Sequence, residues 1–119
     1  MSAEGYEIRR VGQYDVAIMP AEIDATNADA IRQALLCAVS TDAVGLIIDM
    51  NRTTFCDSAG VHAILLAHRQ LAATGVRVRL VAPDMLRILK YIGVDKLIPV
   101  YPDLEAALTG QGNPTAQPS

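Results

Sequence analysis

Two runs rich in β-branched and aromatic residues, at positions 6–11 and 14–19, stand on either side of Gly12-Gln13. A two-residue spacing of this kind predicts a tight β-hairpin. Beyond Pro20 the period changes. Ile31, Ala34, Leu35 and Ala38 recur at three- and four-residue steps and predict a helix over 27–39, with Thr26 and Asp29 spaced as a capping box with aspartate in the acidic place. The continuous apolar run Leu46-Ile-Ile48 is too short for a helix, so 45–50 reads as a strand buried on both faces. A polar turn over 51–57 leads into a helix predicted over 58–74, where Val61, Ile64, Leu65, His68, Leu71 and Ala72 share the core face and Gly75 is the stop. Val76, Val78 and Leu80 alternate with Arg77 and Arg79 and pass into Val81-Ala82, which predicts a strand half-exposed at its start and buried at its end. Pro83-Asp84 opens a third helix with the stripe Met85, Ile88, Leu89 and Ile92, closed by Gly93. A short strand over 98–101 and a short helix over 103–108 complete the pattern.

A hairpin followed by alternating helices and strands predicts a single α/β domain over 6–109, with a mixed β-sheet of four to five strands and about four helices. Residues 1–5 form an N-terminal extension. The segment 110–119 holds no large apolar residue and is expected to be disordered, because nothing in it offsets the entropy of ordering. At 119 residues and 51% hydrophobic composition the chain has enough core to fold without a disulfide or a metal. A net charge of -3 without a basic cluster argues against a nucleic-acid partner. The first six residues lack the basic and apolar segments of a leader, and no run is long enough to span a membrane. A cytoplasmic protein with Cys37 and Cys56 as free thiols is expected.

The stretch from Gly45 to Gly60 presents the hydroxyl of Ser58 where a helix leaves its first amides free. As a nucleophile Ser58 is poorly placed. Cys56-Asp-Ser-Ala-Gly60 departs from the hydrolase elbow at its first glycine, and neither His62 nor His68 reads as a general base. Phosphate-loop and dinucleotide fingerprints are absent, so no cofactor is indicated, and Cys37, Cys56, His62 and His68 lack zinc-ligand spacing. Ser58 as the acceptor of a phosphate is physically favourable. The added charge is tolerated at a helix start and, beside Asp57, repels an acidic or apolar partner. The plainer alternative is that Asp57 or Ser58 only caps the helix. Ser58, His62, Leu66, Arg69 and Ala73 share a second helix face suited to docking a protein, whereas His68 falls on the apolar stripe.

Three blocks in order resemble the STAS-domain anti-sigma factor antagonists of bacteria: Glu22-Ile-Asp24, Gly45-Leu-Ile-Ile-Asp-Met with Thr54-Phe-Cys-Asp-Ser-Ala-Gly60, and Ile92-Gly-Val-Asp-Lys-Leu97. The resemblance implies a non-enzymatic protein that binds an anti-sigma factor with serine kinase activity and so releases a sigma factor. It implies phosphorylation of Ser58 by that kinase to abolish binding, and a phosphatase to restore it. Asp24 and Asp57 match residues implicated in the interaction, with Thr26 and Asn27 in the same loop. Two departures bear on the fit: Ala21, preceded by Pro20, stands where the family has glycine, which restricts the loop, and His62 replaces a small residue. The alternatives are a STAS scaffold that is not phosphorylated, with weak self-association an open option, and a small-ligand sensor using the loop at Asp24. Cys56, two residues from Ser58, suggests a redox switch with Cys37.

Overall fold

The computed structural model describes residues 7–110. The N-terminal extension, Tyr6 and positions 111–119 of the expected tail lie outside the described residues; Gly110 lies within them, closing the last helix. The hairpin forms as expected: β1 (Glu7–Val11) runs antiparallel to β2 (Tyr14–Ile18), with Gly12 at φ 62° in the connecting turn, a conformation that suits glycine. Strands β4 (Gly45–Asp49), β6 (Arg77–Val81) and β7 (Val100–Tyr101) then add in parallel, giving the order β1-β2-β4-β6-β7. Two short strands that the hydrophobic pattern does not predict, β3 (Glu22–Ile23) and β5 (Phe55–Cys56), pair in parallel as a separate two-stranded sheet. Two residues are too few to show a period, and β5 falls inside what reads as a polar turn.

Strand β4 is buried along its whole length because both faces of the sheet are covered. Leu46 and Ile48 point into the main core with Ala17, Met19, Val78 and Leu80. There they meet α1 (Ala28–Ala38), α2 (Ser58–Ala72) and α3 (Leu86–Ile92) through Ile31, Leu35, Ile64, Ala67 and Leu89. Ile47 points the other way, into a smaller cluster with Tyr14, Val16, Val81 and Tyr101, which Ala107 of α4 (Leu104–Thr109) covers. Arg79 anchors that side: its guanidinium lies 5.1 Å from the Tyr14 ring centroid and 5.8 Å from that of Tyr101, and donates to the Ala107 carbonyl.

Several boundaries and faces differ from the pattern. Helix α2 buries Gly60, Val61, Ala63, Ile64, Ala67 and Leu71, while Leu65 and His68 are half-buried and Ala72 is exposed. The buried face includes small residues, Gly60 against Ile23 and Cys56 of the small sheet and Ala63 beside Ala28 of α1, close contacts that apolarity alone does not register. Helix α3 begins after Met85, with Pro83 and Asp84 in the preceding turn, and its expected stripe is only half right: Met85 and Leu89 are buried, but Ile88 and Ile92 are exposed. A 3-10 turn at Val94–Lys96 follows, and Ile98 is buried ahead of β7 rather than within it. Gly93 closes α3 at φ 99°.

Candidate functional site

The site is built at the C-terminal ends of β2 and β4. Thr53, fully buried, donates its hydroxyl to the Pro20 carbonyl at 2.8 Å, and Thr54 N–H donates to the Ala21 carbonyl at 2.8 Å, so the loop after β4 is tied to the loop after β2. The β3–β5 pairing continues this, and Asp57 N–H then donates to the Ile23 carbonyl at 3.1 Å. Asp24 and Asp57 are therefore next to each other in register, although 33 positions of sequence separate them.

Asp24, Thr26 and Asn27 form a closed polar turn. The Asp24 carboxylate accepts from Thr26 N–H at 2.9 Å and from the Thr26 hydroxyl, while Asn27 Oδ1 accepts from Asp24 N–H at 2.9 Å and its amide donates to the Glu22 carbonyl at 2.9 Å. The Thr26 hydroxyl, followed by its backbone N–H, holds the Asp24 carboxyl below the usual carboxylate range, so it stays an anion. The capping box expected from Thr26 and Asp29 does not form: Asn27 is the cap residue of α1, and Thr26 is engaged by Asp24. Asp29 instead pairs with Arg32 at 2.9 Å and accepts from Gln33 at 2.9 Å.

At α2 the cap belongs to Asp57, whose Oδ1 accepts from Gly60 N–H at 3.0 Å. Ser58 is the first helical residue, is exposed, and is not needed for the cap. Gly60 sets how closely α2 starts against the small sheet, since a Cβ there would lie 2.7 Å from both Cys56 Sγ and Ile23 Cγ2. His62 and Arg69 are exposed along α2, and Leu66 between them is half-buried.

Leu66 is half-buried because it borders a cleft with α1. A hollow of about 210 Å³ has Ala25, Ala28, Ala59 and Ala63 among its walls and His62, Leu66, Asp29 and Arg32 around them. It continues into a groove past Arg69 and Gln70, where Arg32 bridges the helices by donating to Gln70 Oε1 at 3.1 Å. Arg32, Asp29 and Gln70 escape a reading of single helix faces, because they become neighbours only when α1 and α2 pack. The alanines at 25, 28, 59 and 63 are the signal that could have found the cleft.

The two thiols are not brought together. Cys37 is exposed near the end of α1, nine positions beyond Ala28, a rise of about 14 Å. Cys56 sits beside the start of α2, and a bridge needs α-carbons within about 7 Å. Burial, and then the Asp57 charge, push the Cys56 thiol up to about 11, which makes it a poor thiolate at neutral pH. Among the described residues no group of three or more His, Cys, Asp or Glu side chains could hold a metal ion, and no helix is long and apolar enough to cross a membrane.

The description of the STAS domain family matches residues 10–107. The chain belongs to the STAS domain family. Among solved structures, this STAS domain is similar to an anti-sigma factor antagonist from Mycobacterium paratuberculosis, at 28% identity and a TM-score of 0.77 over 92% of this chain and 97% of that one. It is also similar to the Bacillus cell fate determinant SpoIIAA in its phosphorylated form, at 23% identity and a TM-score of 0.63, covering 89% and 99% of the two chains. A sulfate transporter family protein from Wolinella succinogenes shares the fold at 16% identity and a TM-score of 0.70, covering 82% and 84%. Comparison with the curated proteins found no match. The STAS fold thus serves proteins of more than one kind, and the choice among them rests on the site.

Proposed function

We propose that this STAS domain is an anti-sigma factor antagonist: it binds an anti-sigma factor with serine kinase activity, releases a sigma factor, and is switched off by phosphorylation of Ser58. The observation that carries the reading is the division of labour at the head of α2. Asp57 supplies the cap, which leaves the Ser58 hydroxyl exposed and free to accept a phosphate. A phosphate there adds roughly -1.5 to -2 charge at a helix start that tolerates it. It does so beside the Asp57 and Asp24 carboxylates, so an acidic or apolar partner surface that fits the unmodified turn is repelled by the modified one.

The docking face runs from the Asp24-Thr26-Asn27 turn over Ser58 and along His62, Leu66 and Arg69, with the alanine-walled cleft beside it. A protein phosphatase acting on Ser58 restores binding. The chain's role is to be bound and modified rather than to catalyse, and it is expected to act in the cytoplasm. A scaffold that is not phosphorylated is the rival, and one experiment separates the two. Incubation with candidate serine kinases from the same cell, followed by mass-spectrometric mapping, is expected to place one phosphate on Ser58 and none on the Ser58→Ala variant. Phosphate at another residue, or none, favours the scaffold.

A further inference from the structure

Helix α3 leaves most of its apolar surface outside the core. Ile88 is 50% exposed, Ile92 54% and Tyr91 91%, and Leu97, just past the 3-10 turn, is 60% exposed. Arg87, Lys90 and Lys96 are exposed among them, and the chain has no other lysine. The acids nearby are Asp84, exposed at the margin, and Asp95, which is buried. An apolar patch ringed by cations fits an apolar surface that bears carboxylates. An anionic membrane fits less well, because the chain as a whole carries a net charge of -3.

The chain itself offers such a surface. Phe55 is 50% exposed, its register partner Glu22 is exposed, and the Asp24 and Asp57 carboxylates are next in line. Arg52, in the same loop, already has a partner within the chain. This turn follows β4 and α3 follows β6, and the two strands are parallel neighbours, so the turn and the start of α3 leave the sheet at the same end. Two molecules related by a twofold axis can then set each α3 on the other's turn, which closes the assembly instead of propagating it.

We propose that the chain forms a weak reciprocal homodimer, with Tyr91 and its apolar neighbours on Phe55 of the second copy, and Arg87 and Lys90 facing Glu22 and Asp57. Four apolar side chains and one phenyl ring make a small interface, so the association is reversible. It covers the turn that carries Ser58 and competes with any partner docking there. It needs no phosphate on Ser58, since none of the contacts named is made by that side chain.

Sedimentation velocity of the full chain over a concentration series, at about 0.05 M and about 0.5 M salt, tests this. The expected result is a dimer that grows with concentration at low salt and recedes at high salt. Tyr91→Glu and Phe55→Ala each lower the association constant by roughly tenfold or more, and Lys90→Glu is rescued by Glu22→Lys in the same chain. All of these side chains are exposed, so the fold is not at stake. A monomer at every concentration in low salt, or a dimer indifferent to both Tyr91→Glu and Phe55→Ala, overturns the proposal. A monomer that binds phosphatidylglycerol vesicles through Tyr91 also overturns it and assigns the patch to a lipid surface.

Discussion

A serine at the head of a helix commonly uses its oxygen to cap the first turn. Here Asp57 precedes it and accepts from Gly60 N–H, so Ser58 keeps an uncommitted, exposed hydroxyl. Of the two residues that the sequence offered as the cap, the structure uses Asp57. His68 illustrates a different case, a residue whose environment alters its chemistry. Half-buried on α2, it is held by desolvation below the ordinary histidine value. The unfolded chain therefore binds a proton at His68 more readily than the folded one. Its contribution to stability is complete above the ordinary value of about 6.5 and is lost as pH falls below it. Urea unfolding at pH 7.5 and pH 5.5 is expected to show a larger acid-side loss for the wild type than for His68→Leu. Equal losses in the two proteins would show that this burial has no energetic consequence.

The packing of elements decides what local pattern cannot. The hairpin, the buried strand β4, the start of α2 and the half-exposed β6 were all legible, because each is long enough to show its period or is bounded by a turn residue. The β3–β5 pair was not, since its strands are only two residues each and its hydrogen bonds join segments far apart in the chain. Nor was the exposure of Ile88 and Ile92, because a helical stripe shows that residues share a face and leaves open whether another element covers it. Gly60 belongs to this scale. Alanine there would gain about 1 kcal/mol of helix propensity, but its Cβ would meet Ile23 and Cys56 at 2.7 Å, and overpacking of a tight contact costs about 1–3 kcal/mol. Gly60→Ala is expected to lower the urea midpoint at unchanged m-value. A raised midpoint would mean that the junction between α2 and the small sheet is loose.

Across the whole molecule, both loops of the site hang from the C-terminal ends of β2 and β4, and the core beneath them is closed on both faces. Asp24, Asp57 and Ser58 could each be picked out from sequence by chemistry or resemblance. Their adjacency, and the cleft that Arg32 shares with Leu66 and His62, required the fold. If the proposed switch operates, the domain loses its partner on phosphorylation without losing its structure. The affinity of the cell's own anti-sigma factor for Ser58→Ala and for Ser58→Glu, by titration calorimetry, tests this, with circular dichroism to verify that both are folded. The expected result is near wild-type affinity for Ser58→Ala and a loss of roughly tenfold or more for Ser58→Glu, from a like charge placed at the interface. Equal affinity for the two folded variants would contradict the account.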